Sequence, residues 1–172
     1  MMSHKCKFQN LIKVILLLAL LVPSLVLADI IVGEVFSVAD GDTITVISEG
    51  VKHKIRLVGI DAPEKKQAYG EESKQSLHDL VYEQMVSIVY NKHDRYKRIL
   101  GKVIFGGKDI NLEQIRRGLA WHYKRYQKEQ EYEDRSLYAQ EEYLAQKDRV
   151  GLWSDKNPTP PWDFRKRFHI NH

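Results

Sequence analysis

Residues 30–64 read IIVGEVFSVADGDTITVISEGVKHKIRLVGIDAPE. In this stretch Ile30 to Val38, Thr43 to Ile47 and His53 to Gly59 are strand-like in composition, with breaks at Asp40-Gly41-Asp42 and Glu49-Gly50. Such runs divided by Asp-Gly and Glu-Gly predict hairpins, because glycine and its acidic neighbour accept the backbone angles of tight turns. A three-strand antiparallel meander follows. Strands joined by hairpins rather than by helical crossovers argue against a parallel α/β sheet.

Beyond the meander, Glu71 to about Gln84 carries Leu77, Leu80 and Val81 at helical spacing, and Val86 to Tyr90 returns to strand composition. Arg98 to Phe105 predicts a further strand, closed by Gly106-Gly107 and a short return over Lys108 to Ile110. Asn111 is placed to cap a helix whose third position is Gln114 and whose end is Gly118. Glu129 to about Asp148 predicts a longer, charged helix with Tyr132, Leu137 and Leu144 on its inner stripe, stopped by Gly151. The chain has no repeat, low-complexity segment or internal linker. This order predicts an α+β chain, a single small barrel with packed helices.

The N-terminus has a different character. Lys5, Lys7 and Lys13 lead into an uncharged run from Val14 to Val22, and Val26-Leu27-Ala28 puts small or apolar residues where a signal peptidase reads. Residues 1–28 therefore read as an export signal. A membrane anchor fits less well, because the apolar run is shorter than the roughly 20 residues a spanning helix needs and Pro23 interrupts it. Cleavage after Ala28 would leave residues 29–172 and remove Cys6, the only cysteine, so no disulfide is expected in a secreted or periplasmic product. It would also remove three of the 27 basic side chains and no acidic one, leaving 24 against 23 acidic and a net charge of +1. A polyanionic partner must then be held by locally placed cations, not by a general positive field.

The same opening stretch carries chemistry. Asp40 and Asp42 flank the first turn, while Asp61 and Glu64 follow the third strand, so four carboxylates are expected at one rim of the barrel. Their mutual repulsion would be relieved by a hard cation, and oxygen donors without histidine or cysteine point to calcium or magnesium rather than zinc. An ordinary Asp-Gly hairpin explains Asp40 to Asp42 equally when that turn is taken alone. Arg56 lies mid-strand among apolar residues and must either pair with an acid or await an anionic ligand. The DRYKR run from Asp94 to Arg98 supplies further arginines. Guanidinium forks beside a cation site suit phosphodiester cleavage, whose transition state spreads negative charge over the phosphoryl oxygens. Glu64 is placed to take a proton from an attacking water.

These motifs carry a resemblance. DGDTITV, then RLVGIDAPE nine residues later, resembles the first signature of the staphylococcal nuclease (thermonuclease) family, and DRYKRILGKV resembles the second. The similarity runs from about Val35 to Trp153 through GLAWHY and GLWS segments. It implies a five-stranded OB-fold β-barrel with three packed α-helices over residues 29–156. It further implies a calcium-dependent nuclease, acting as a monomer on DNA and RNA with little sequence preference. Position by position, it implies Asp42, Asp61 and the Ala62 carbonyl as calcium ligands, Glu64 as general base, and Arg56 and Arg98 as the phosphate clamp. Tyr96 and Tyr123 fall at nucleotide contacts, beside Arg95 and Lys97. Lys97 stands where the family has glycine. Either it carries a left-handed backbone at a cost of about 1 kcal/mol, or it adds a phosphate contact. The alternative function is a catalytically silent OB-fold that binds nucleic acid or protein, which would have no use for a general base.

Blander readings suit the remaining features. His53, His78, His93 and His122 show no ligand spacing, although His122 lies within the GLAWHY segment. Tyr126, Tyr132, Tyr138 and Tyr143 are expected to pack helices, and Trp153 to close the core. Residues 157–172 hold Pro158, Pro160 and Pro161, then Trp162, Arg165, Lys166 and Arg167, and are expected to lie extended along the barrel.

Overall fold

A computed structural model describes residues 28–170. The export-signal reading falls almost wholly on residues 1–27, outside the described residues. Among those described, no helix is long and apolar enough to cross a membrane.

The meander is present as β1 (Asp29–Asp40), β2 (Thr43–Ser48) and β3 (Val51–Leu57), paired antiparallel in the order β3-β2-β1. Strand β1 is long enough to serve two partners. Its first half pairs with β5 (Met85–His93) from Asp29 opposite Tyr90 to Glu34 opposite Met85, and its second half pairs with β2. Register shifts at Val35/Ser37 and Val38/Asp40 let the strand bend between them. Strand β6 (Ile99–Phe105) then pairs antiparallel with β5 and parallel with β3, Ile55 opposite Ile99, which closes a five-stranded barrel. Closure leaves the interior to Val35, Ile44, Val46, Ile55, Ile88 and Val103, all fully buried. Short pairings complete the sheets: β7 (Lys108–Asp109) on β6, and β4 (Ile60–Asp61) with β8 (Trp121–His122).

Four α-helices accompany the barrel among the described residues, one more than the three expected. Helix α1 (Gly70–Val81) buries Leu77 and Val81 against β1. Helix α2 (Ile110–Arg116) is capped by Asp109, whose carboxylate accepts from the Leu112 amide at 3.1 Å. The expected cap, Asn111, lies instead inside the helix, where its side chain donates to the Val58 and Gly101 carbonyls and accepts from the Val103 amide. Gly118 ends the segment with φ +62, as expected.

Helix α3 (Tyr132–Lys147) follows a 3-10 turn over Lys124–Glu129. Its inner face is not the predicted stripe. Tyr138, Glu142 and Ala145 are buried, whereas Tyr132 and Tyr143 are well exposed and Leu137 and Leu144 lie at the margin. Tyr126 is also exposed, so of the four tyrosines only Tyr138 is a core residue. Trp153 packs with Ala145, Leu152, Tyr69 and Trp121 in a satellite cluster beside the main core.

Residues 161–170, expected to be extended, form helix α4 (Pro161–Ile170). Pro161 takes the first helical position, where a missing N–H costs nothing, and Asp163 stands in the first turn.

Candidate active site

The β1–β2 turn is seated by close packing. A Cβ on Gly41 would lie 1.8 Å from Ser73 Oγ and 2.8 Å from Ala62 Cβ, so only glycine lets the turn approach α1 and the segment after β4. Buried Gln114 of α2 braces it, its amide donating to the Gly41 carbonyl at 2.9 Å and the Ser73 carbonyl at 3.0 Å. The Ser76 hydroxyl in turn donates to Gln114 Oε1 at 2.7 Å, which fixes the orientation of that amide.

On this support Asp42 faces Asp61, the last residue of β4. Asp42 Oδ1 accepts from the Thr43 hydroxyl at 3.0 Å and Oδ2 from the Ala62 amide at 2.7 Å. Arg56 lies between the two acids, with Nη1 2.6 Å from Asp42 Oδ2 and Nη2 2.8 Å from Asp61 Oδ1. The choice open in the sequence is thus resolved toward ion pairing. Asp42 is 5% exposed and Asp61 1%. Burial pushes the Asp42 carboxyl well above the usual carboxylate range; Arg56 opposes that, and the negative charges of Asp40 and Asp61 add to it. Arg56 is thus committed to both buried acids, and Asp61 is met by a second arginine, from α4. All available donors are oxygen. The pair fits a hard divalent ion, though sparsely, since no three acidic, histidine or cysteine side chains converge as a cage among the described residues.

The expected convergence of four acids is only partly realised. Asp40 turns its carboxylate back to accept from the Asp42 amide at 3.1 Å, a hairpin role. Glu64 is reached by a different arginine, Arg165 of α4, whose Nη1 lies 2.6 Å from Glu64 Oε1 and whose Nη2 lies 2.7 Å from Asp61 Oδ2.

Arg98 precedes the parallel β3–β6 pairing, so it enters on the strand beside Arg56. Its Nε is held 2.7 Å from Asp94 Oδ2, and no ion pair joins it to Asp42, Asp61 or Glu64. Tyr96 is exposed, its hydroxyl accepting from Arg95 at 2.6 Å with the Arg95 guanidinium 4.7 Å from the ring centre. Lys97 has φ 63, so the left-handed backbone expected of the family glycine is carried here by a lysine. Tyr123 stands after β8, its amide donating to the Gly59 carbonyl at 2.8 Å and its ring stacked on Trp162. A cleft beside it is lined by Trp121, Lys124, Trp162 and Lys166 among others.

His122, in β8, is 2% exposed. One ring nitrogen meets Gln130 Oε1 at 3.0 Å, and Nδ1 is buried without a hydrogen-bond partner. Two groups bearing on the site were not legible in the sequence. The sequence placed Gln114 only as the third position of a helix capped by Asn111, whereas Asp109 is the cap and Gln114 braces the turn, and Arg165 gave the Trp162 to Arg165 spacing of one helical turn, hidden behind prolines.

Comparison with known proteins adds an independent line. Residues 54–155 match the family model described as staphylococcal nuclease homologue. An uncharacterized endonuclease of Haemophilus influenzae is 42% identical over 139 residues, 80% of this chain and 75% of that protein. A micrococcal nuclease of Shigella flexneri is 39% identical over 143 residues, 78% of this chain and 80% of its own length. A staphylococcal-like nuclease of Arabidopsis thaliana is 39% identical over 115 residues, 67% of this chain but 34% of the plant protein.

Proposed function

The chain belongs to the staphylococcal nuclease family, and on that premise we propose that it is an exported, calcium-dependent endonuclease that hydrolyses phosphodiester bonds of DNA and RNA. The observation that carries the reading is the set of buried Asp42 and Asp61 bridged by Arg56, with Glu64 three residues beyond Asp61 at the same rim. Calcium held by Asp42, Asp61 and the Ala62 carbonyl would supply Lewis-acid stabilisation of the charge that builds on the phosphoryl oxygens. Arg56, paired here with both acids, and Arg98, just before β6 and held by Asp94, are the guanidiniums we assign to that charge, each by exchanging a carboxylate partner for the phosphate. Glu64 accepts the proton of the attacking water as its oxygen bonds to phosphorus and the ester oxygen leaves. Exposed Tyr96, with Arg95 and Lys97 beside it, and Tyr123 on the other flank supply stacking and phosphate contacts. Lysines 5, 7 and 13 and the following uncharged run support export to a secreted or periplasmic location.

The test is cleavage of plasmid DNA and of RNA by the chain lacking residues 1–28, with calcium and then with excess chelator. Activity should vanish with chelator. Glu64→Gln should lower the rate by about 10² to 10⁴ while nucleic-acid binding survives. Parent-like cleavage by that variant, or binding without any cleavage by the parent, would overturn the reading in favour of a binding module.

A further inference from the structure

Helix α4 lies beyond the stretch that matches the family model, yet it reaches the centre of the site. Arg165 Nη1 lies 3.2 Å from Asp61 Oδ1 and 2.6 Å from Glu64 Oε1, and Nη2 lies 2.7 Å from Asp61 Oδ2. Both oxygens of Asp61 are therefore engaged, and the proton-accepting carboxylate is paired to a cation. The helix is also anchored on the substrate side. Trp162 stacks on Tyr123 with ring centres 5.4 Å apart and planes 12° from parallel, and meets Trp121 edge-on at 5.5 Å. Just upstream, the Gln67 side-chain amide donates to the Thr159 carbonyl.

A cation entering at Asp61 must take oxygens that Arg165 now holds. The guanidinium brings one delocalised positive charge, whereas a divalent ion brings two on a compact centre, so the exchange favours the ion once its concentration suffices. The two arms of the attachment differ: the Arg165–Glu64 arm is open to water, at 37% and 40% exposure, and is weakly held, whereas the Asp61 arm, on a 1% exposed carboxylate, is the one a divalent ion must displace. While the pair persists, Arg165 occupies Glu64 Oε1, an oxygen that an attacking water would have to meet.

We propose that α4 is an autoinhibitory plug: Arg165 holds Asp61 and Glu64 in place of a divalent cation, and cation binding expels it, freeing Glu64 and lifting Trp162 from Tyr123. This rests on the assignment of Asp61 to the cation site and Glu64 to the base. The packing allows it, since among the described residues α4 contributes none to the main barrel core: Trp162 and Arg165 are half-buried, and Trp162 meets the Trp121 margin of the satellite cluster and Tyr123.

The experiment is calorimetric titration of calcium into the chain from Asp29 to His172, as parent, Arg165→Ala, Arg165→Gln and Asp61→Asn, with amide hydrogen exchange across residues 159–167. Both Arg165 variants should bind calcium at least about tenfold more tightly than the parent, the gain expected from removing a cation that competes for the Asp61 oxygens. Calcium should speed exchange in α4 of the parent, and the Arg165 variants should exchange fast without it. Equal or weaker calcium binding by both variants, with binding abolished in Asp61→Asn, would preserve the cation site and overturn the plug. Tighter binding without faster α4 exchange would overturn release of the helix. Calcium binding by Asp61→Asn equal to the parent's would remove the cation-site reading, and the plug with it.

Discussion

Lys97 occupies a backbone conformation that suits a residue without a side chain. At φ 63 its amide donates to the Asp94 carbonyl at 3.0 Å, while the Asp94 carboxylate accepts from the amides of Tyr96 at 2.8 Å and Arg98 at 2.9 Å. The turn is thus held by Asp94, and the strain is carried by lysine. Lys97→Gly is expected to raise stability by about 1 kcal/mol, the cost of the left-handed region for a side chain, measured as a higher denaturant midpoint at unchanged slope. Cleavage measured on the same protein separates the two roles that the sequence left open. A gain in stability with unchanged kcat/KM means the lysine is only tolerated, and a fall in kcat/KM means its ammonium meets a phosphate. Arg98 is tied to the same aspartate, where burial raises the carboxyl but hydrogen bonds from the Arg98 and Tyr96 amides and from the Arg98 guanidinium outweigh it and hold it below the usual range. Asp94 therefore stays ionised and keeps Arg98 in place.

At the scale of elements, the β1–β2 hairpin delivers Asp42, and two helices set its depth. Gly41→Ala must displace Ala62 or break the bond from the Ser73 hydroxyl to the Leu119 carbonyl at 2.6 Å. Overpacking of this kind costs about 1 to 3 kcal/mol. Because the displaced turn carries a candidate metal ligand, the loss of cleavage under saturating calcium is expected to exceed the loss in folded population; activity that merely followed thermal stability would contradict that. The hairpins themselves were legible in the sequence, since Asp-Gly and Glu-Gly divide β-branched runs, and so were Arg56, Asp61 and Glu64 as charges set against an apolar strand. Helix faces were not. Helix α3 turns Glu142 inward because its carboxylate accepts from the His122 amide at 2.9 Å and pairs with Lys124 at 2.5 Å, so apolar spacing pointed to the wrong side. Helix α4 was read as extended because three prolines precede it, although a proline at the first helical position is compatible with a helix start. That misreading concealed Arg165, since only a helix turns it and Trp162 toward the same surface.

The site is assembled from the whole molecule: Asp42 from the first hairpin, Arg56 from near the end of barrel strand β3, Asp61 from the separate β4–β8 pairing, Tyr123 from the segment between α2 and α3, and Arg165 from the far end. Its far flank rests on His122, whose neighbour Trp121 pairs with Asp61 in register. Burial lowers the His122 pKa below its ordinary 6.5, and the Gln130 hydrogen bond and the Glu142 charge only partly restore it. The sign follows directly. The unfolded chain binds a proton at this position as pH falls through 6.5, while the folded chain resists it, so the stability supplied by a neutral His122 is complete at higher pH and is lost progressively below that value. The Asp42 and Asp109 carboxyls, raised by burial, act in the opposite sense, so the His122 contribution is read as a difference: the thermal unfolding temperature of the parent should fall relative to that of His122→Gln as pH drops from about 7 to about 5. His122→Gln keeps a polar group that does not titrate and should remove this part of the slope while leaving the acid limb below about pH 4.5, where the carboxylates titrate. A variant with the parent's slope between those limits would assign the effect to other groups and leave His122 a packing residue only.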